Sequence, residues 1–280
     1  MHSLVRRFCA TISPSTVIAS LVTATLAANL AIASPLSAKD APTNKPTVVL
    51  VHGAFAESSS WNNVSAKLLA KGYPVIAVAN PLRGVKSDSA YLAKLLDAVK
   101  GPVILVGHSY GGNVISNIPT ARTSVKALIF VAGFAPDANE SAATLAGKFP
   151  GGTLGSTLAL PVVLADGTKD LYIAQEKYHA QFAADVSAAE AKLMATTQRP
   201  IAESALTEPV GESSWKTIPS YFLYGSLDKN IPAAAHAFMA KRANARRTVE
   251  VPGASHVVMM THPDALVRLI DEASAESGSL

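Results

Sequence analysis

The chain has 280 residues, 49% of them hydrophobic and 16% charged, with 24 Lys and Arg against 20 Asp and Glu for a formal charge of +4. That composition excludes a disordered chain, which would be polar and charge-rich, and a coiled coil, which would be built from charged and aliphatic heptads. The single cysteine excludes an internal disulfide framework and a Cys-rich zinc module. The positive excess includes Arg6 and Arg7 and is too small to argue for nucleic acid or an anionic membrane surface as a partner.

Residues 1–38 hold no Asp or Glu. Arg6 and Arg7 open this segment, an apolar stretch runs from Val17 to Ala33, and small residues follow at Ala31, Ala33 and Ala38. That is the three-part pattern of a secretory signal peptide, cleaved after Ala33 or Ala38, and it predicts an exported protein. As a membrane anchor the stretch is short, and Ser20, Thr23, Thr25 and Asn29 interrupt it, so no stable membrane insertion is expected after cleavage. Cys9 lies inside the signal, which would leave the mature protein without a thiol. Residues 39–46 read as a polar, Pro-containing linker.

From Pro46 onward, short apolar runs alternate with amphipathic stretches. The runs Thr47–Val51, Pro74–Ala79, Pro102–Val106 and Val125–Val131 read as buried strands. Between them, Ser60–Lys71, Asp88–Lys100 and Tyr110–Ala121 read as helices. From about Pro136 to Lys216 no clean strand is expected, only Gly/Pro-rich loops and helical pieces at Tyr172–Ala184 and Ala188–Thr197. Alternation resumes with a strand at Ile218–Tyr224, a helix near Ala233–Ala243, a strand at Arg247–Val251 and a last helix from Pro263 to about Ala273. This order predicts an α/β fold: a mostly parallel central sheet with helices on both faces. Residues 47–135 and 217–276 form its core, and 136–216 a cap insertion between strands.

The most specific motif is Gly107-His108-Ser109-Tyr110-Gly111, a G-x-S-x-G placed between a strand and a helix. So sharp a turn strains the serine and lifts its hydroxyl above the sheet, and only glycine fits two residues to either side. A serine hydroxyl is a poor nucleophile until a positioned base takes its proton. The base is expected late in the chain, which selects His256 with His262 as fallback, whereas His179 and His236 read as surface residues of ordinary helices. The acid is expected at Asp228, just past a strand end. Asp137 after the fourth strand is its rival, and Asp170 is weaker because it falls within the insertion. The oxyanion needs two backbone donors. Tyr110 N–H and the N–H of Ala54, in the loop His52-Gly53-Ala54-Phe55, are expected to supply them through backbone geometry rather than side chains. His52 is read as a brace for that loop, and His108 as a packing residue with an indirect hydrogen bond.

Taken together, HGAF at 52–55, GHSYGG at 107–112, YGSLDKNIP at 224–232 and GASHVVMMTHP at 253–263 resemble the α/β-hydrolase superfamily. More narrowly they resemble its small-cap branch of plant methylesterases, hydroxynitrile lyases and bacterial pyrethroid-type esterases. The resemblance spans 46–276. It implies Ser109, Asp228 and His256 as a triad, with Ala54 and Tyr110 forming the oxyanion hole. Lyases of that branch carry a lysine directly after the catalytic histidine, whereas Val257 stands here, and His108 rather than a glutamate precedes the serine. Both departures point toward an esterase.

The expected function is hydrolysis of a small, largely apolar carboxylic ester through an acyl-enzyme. Lactonase, amidase, perhydrolase or C–C hydrolase chemistry on the same triad stays open, as do a lyase and a ligand-binding protein without turnover. No cofactor or metal is implied, since the sequence carries neither a dinucleotide or phosphate loop nor a cluster at metal-ligand spacing. The oligomeric state has no sequence signal.

Overall fold

A computed structural model describes residues 45–122 and 124–277. The signal peptide, Cys9 and all but the end of the linker lie outside the described residues.

The first half alternates as its hydrophobic pattern dictates. β1 (Thr47–Val51) leads through a 3-10 turn at Ser58–Trp61 into α1 (Asn62–Ala70), followed by β2 (Val75–Val78), α2 (Val85–Asp97), β3 (Val103–His108), α3 (Gly111–Ser116) and β4 (Val125–Val131). Next come α4 (Ala142–Ala146), β5 (Val162–Val163), β6 (Lys169–Leu171), α5 (Gln175–Phe182), α6 (Ala188–Thr197), β7 (Ile201–Ala202) and α7 (Glu203–Thr207). The chain closes with β8 (Ser220–Gly225), α8 (Ala233–Arg242), β9 (Arg247–Val251), α9 (Val258–Thr261) and α10 (Pro263–Ser277).

Six strands form one parallel sheet in the order β2-β1-β3-β4-β8-β9. Every residue of β1 and β3 is buried, which explains their unbroken runs of Val, Leu and Ile. Each such side chain stabilises the fold by about 1.5–3 kcal/mol relative to exposure. The register sets Val51 beside Gly107 and Gly107 beside Phe130, so β1, β3 and β4 end at one level. The chain moves outward from β1 to β2, then crosses back to place β3 on the other side of β1. At such a switch point the loops after the two strands diverge and leave a crevice. The loops after β1 and β3 are those that carry Ala54 and Ser109.

The segment between β4 and β8 departs from expectation. β5, β6 and β7 make a small antiparallel sheet, with Val162 opposite Asp170 and Leu171 opposite Ile201. Strands of two or three residues are too short to show a period in sequence. The same holds for α4 and α7, of five residues each. The segment is tied down near the crevice: Phe55 N–H donates to the Arg199 carbonyl at 2.9 Å, and Ala202 N–H to the Leu82 carbonyl at 3.0 Å. α3 stops at Ser116, short of the expected Ala121, because Pro119 lacks an N–H and disfavours helical backbone before it. α2 starts at Val85 rather than Asp88, since the Asp88 carboxylate turns back to accept the N–H groups of Arg83 and Gly84.

Candidate active site

Ser109 sits between β3 and α3 with φ = 53°, in the left-handed region. Such a conformation costs a non-glycine residue about 1–2 kcal/mol, and it persists because Ser109 N–H donates to the Val131 carbonyl while the Ser109 carbonyl accepts from Phe134. The turn closes only on glycines. A Cβ on Gly107 would stand 2.6 Å from the Gly111 carbonyl oxygen, and one on Gly111 would stand 2.3 Å from the Val51 carbonyl oxygen.

Asp228 lies just past β8, as expected, and is buried with all its lone pairs committed. Its Oδ1 accepts the N–H groups of Asn230 at 2.8 Å and Ile231 at 2.9 Å. Its Oδ2 accepts His256 Nδ1 at 2.7 Å and His236 Nε2 at 3.2 Å. Burial alone would push this carboxyl up, but the charge and hydrogen bonds of His256 and His236 outweigh it and hold the group far below the usual carboxylate range. An ionised carboxylate only accepts, so His256 Nδ1 carries the proton of this bond and the ring's Nε2 is left outside it. Among the described residues, neither that Nε2 nor the Ser109 hydroxyl makes a hydrogen bond.

The alternatives stand elsewhere. Asp137 is engaged by Lys216 and the Ser213 hydroxyl. Asp170 pairs with Arg83 at 2.6 Å. His262 is exposed, with Nδ1 on its neighbour Thr261, and His179 bonds the Val186 carbonyl. His236 corrects the sequence reading: it is fully buried, not on the surface, and its ring stacks on Tyr224 at 4.8 Å.

The loop after β1 is braced as expected. His52 Nδ1 donates to the Gly53 carbonyl at 2.9 Å, while Nε2 accepts Asn80 N–H at 3.1 Å. Burial lowers the His52 pKa despite the Gly53 bond, which suits this neutral, half-donor, half-acceptor role. Phe55, at φ = 61°, spends its N–H on Arg199. The N–H groups of Ala54 and Tyr110 find no acceptor among the described residues, and both residues line the cavity that Ser109 faces. The Tyr110 side chain is more than a bystander: its hydroxyl donates to Asp88 Oδ2 at 2.9 Å in a fully buried contact. Burial first, and then the Asp88 charge, push that phenol well above its ordinary range.

The cavity holds about 240 Å³, and among the described residues no charged side chain lines it. Phe134, Ala142, Leu154, Leu158, Leu206 and Ile231 give it apolar walls, with Asn230 at one side. Phe182 of α5 sets its ring edge against His256 at 5.0 Å, and Tyr178 donates its hydroxyl to the Phe55 carbonyl at 2.7 Å. His108 is fully buried, and its Nε2–H donates to the His256 carbonyl at 3.1 Å. Burial, and then the neighbouring His256, hold its pKa well below the ordinary histidine range. Phe182, Asn80 and the Asp88–Tyr110 contact have no local sequence signal, because the partners lie far away in the chain. His236 meets Asp228 across a loop.

Comparison with known families matches residues 48–269 to one described as "Alpha/beta hydrolase family". Among curated proteins, the chain is 25% identical over 249 residues to "Alpha-hydroxynitrile lyase" of Arabidopsis thaliana, covering 81% of this chain and 95% of that one. It is 24% identical over 267 residues to "Methylesterase 4" of the same plant, covering 83% and 98%. Among solved structures, polyneuridine aldehyde esterase superposes with a TM-score of 0.71 at 17% identity, over 82% of this chain and 99% of that one.

Proposed function

The chain belongs to the alpha/beta hydrolase family, and within it we propose a serine hydrolase that cleaves a small, uncharged carboxylic ester through an acyl-enzyme. The observation that carries this reading is the buried 2.7 Å bond from His256 to Asp228, at the same end of the sheet as the strained Ser109. His256 Nε2 takes the Ser109 proton as Oγ attacks the ester carbonyl, and Asp228 stabilises the imidazolium that forms. The N–H groups of Ala54 and Tyr110 receive the developing oxyanion, each worth about 10²–10³ in rate. His256 then protonates the departing alcohol. Water enters, gives its proton to His256 and hydroxide character to the acyl carbon, and the acid leaves as Ser109 regains its proton.

The absence of charge from the cavity lining favours an uncharged acyl or alcohol group, and the 136–216 segment acts as the cap that walls it. Val257, fully buried, follows the base, which supports an ester over a cyanohydrin: no cation stands there for a cyanide leaving group. Export of the mature chain remains part of this proposal.

The test is labelling with a fluorophosphonate, read by intact mass and peptide mapping. One adduct per chain on Ser109, absent from Ser109→Ala and slowed in His256→Ala, is the expected result. A wild-type chain that takes no label at Ser109 would overturn the serine-hydrolase reading in favour of a binding protein.

A further inference from the structure

His236 has no place in the three-residue scheme, yet its position is specific. It projects from α8 onto Asp228 Oδ2, the same oxygen that holds His256. Oδ1 is meanwhile locked by two backbone N–H groups, from Asn230 and Ile231. All four acceptor positions of the carboxylate are therefore filled, two on each oxygen, and the group has no freedom to turn about its own axis. His236 is fully buried, and among the described residues its Nδ1 makes no bond of good hydrogen-bond geometry, with only the Ile231 backbone beside the ring. A helix that needed only to pack here would bury an aliphatic side chain without that cost. Burial lowers the His236 pKa more than the Asp228 bond and charge raise it, which favours the neutral ring. An uncharged donor on a carboxylate adds direction without adding charge.

We propose that His236 is a positioning residue for the base, sharing Asp228 Oδ2 with His256 so that the carboxylate is aimed at Nδ1 and its pull on the imidazolium is moderated. This rests on the triad reading above. The physical link is competition for one oxygen. Each donor on Oδ2 draws electron density from the others, so removing the His236 N–H makes Oδ2 a stronger acceptor toward His256. The imidazolium form of His256 is then favoured, and the acid limb of the pH–rate profile moves to higher pH. The titratable groups around this pair are few. Asp228 lies between the rings, Tyr224 stacks on His236 with its hydroxyl on Glu250, and His108 lies against the other side of His256 at 4.8 Å. None of them is removed by changing His236.

The experiment compares wild type, His236→Phe and His236→Gln. Phe keeps a ring on Tyr224 and loses the donor, while Gln keeps an N–H at about the reach of Nε2 and loses the ring. The rate of fluorophosphonate labelling at Ser109 is followed from pH 5 to 8, together with kcat and KM for a short-chain p-nitrophenyl ester. The acid limb of His236→Phe is expected to move up by roughly half a pH unit or more, as the loss of one buried hydrogen bond implies. KM should not change, because His236 does not line the cavity, and His236→Gln should return the limb to its wild-type place. If His236→Phe does not fold, His236→Asn replaces it, being smaller than the ring and too short to reach Oδ2, with the same expected shift. Superimposable profiles for wild type and the donor-free variant overturn the proposal, as does an equal loss in the Phe and Gln variants, which would mark a packing role. A wild-type protein that is not labelled at Ser109 fails the triad reading itself; a labelled wild type with an unmoved profile fails only the role of His236.

Discussion

Tyr110 and Asp88 meet in a fully buried hydrogen bond of 2.9 Å that ties the residue after Ser109 to the first turn of α2. The carboxylate also gathers the N–H groups of Arg83 and Gly84 and the Ser87 hydroxyl. The backbone whose N–H faces the cavity is thus anchored through its own side chain. Tyr110→Phe removes one of several donors and should cost about 1 kcal/mol, measured by urea denaturation, with less than a tenfold loss of turnover. Asp88→Ala strands the phenol and the loop N–H groups together, so its cost should be about 2–3 kcal/mol.

Asp228→Asn tests the acid. An amide cannot accept from His256 and His236 and also receive two backbone N–H groups without presenting its own NH₂ to one of them. His256 is driven toward the other tautomer, and kcat should fall by about 10³–10⁴. Labelling of Ser109 should fall in parallel, while circular dichroism reports an unchanged fold.

Acid stability follows from the buried histidines. His52, His108 and His236 all have pKa values lowered by burial. A group whose folded-state pKa lies below its unfolded value binds its proton more readily when unfolded. Its neutral form stabilises the protein above the unfolded pKa, and that stability is lost as pH falls toward the folded one. The urea midpoint should therefore hold near pH 7–8 and decline below about pH 6.5. His108→Gln, which cannot be protonated, should flatten part of that decline. An unchanged slope would show that His108 takes up no extra proton on unfolding.

Gly111→Ala should destabilise by about 3 kcal/mol, because its Cβ would sit 2.3 Å from the Val51 carbonyl oxygen and 3.1 Å from that of His52, both backbone atoms that cannot swing aside. Gly155→Ala is the control. A Cβ there meets nothing within 4 Å, so its urea midpoint should stay at the wild-type value.

The parallel sheet was legible because burial on both faces forces continuous runs such as Val103–Val106, which no amphipathic helix shows. The elbow was legible because its strain is written as glycines two residues to either side of Ser109. Composition alone places His236 on the surface. Its helical spacing to Met239 and Ala240 places all three on one face, and that face is buried. Reading the period would have put the ring inside, though not on Asp228, because Pro232 and the loop before it set that meeting. The link between Asp88 and Tyr110 joins α2 to the N-cap of α3 across 22 residues, and nothing local to either residue announces it. The strands β5 to β7 owe their pairing to one another rather than to any run of β-forming residues.

Phe182 and Tyr178, one turn apart on α5, touch the ring of His256 and the carbonyl of Phe55. α4, the Leu154–Leu158 stretch and Leu206 line the cavity from the same segment between β4 and β8. The insertion is accordingly two materials under one name. Redesign or natural drift at α4, Leu154, Leu158 and Leu206 can reshape what fits beside Ser109 while the machinery keeps its alignment. Any graft that replaces α5 carries away a support of the imidazole, so a chimera built by exchanging the whole insertion should lose rate before it gains a new substrate.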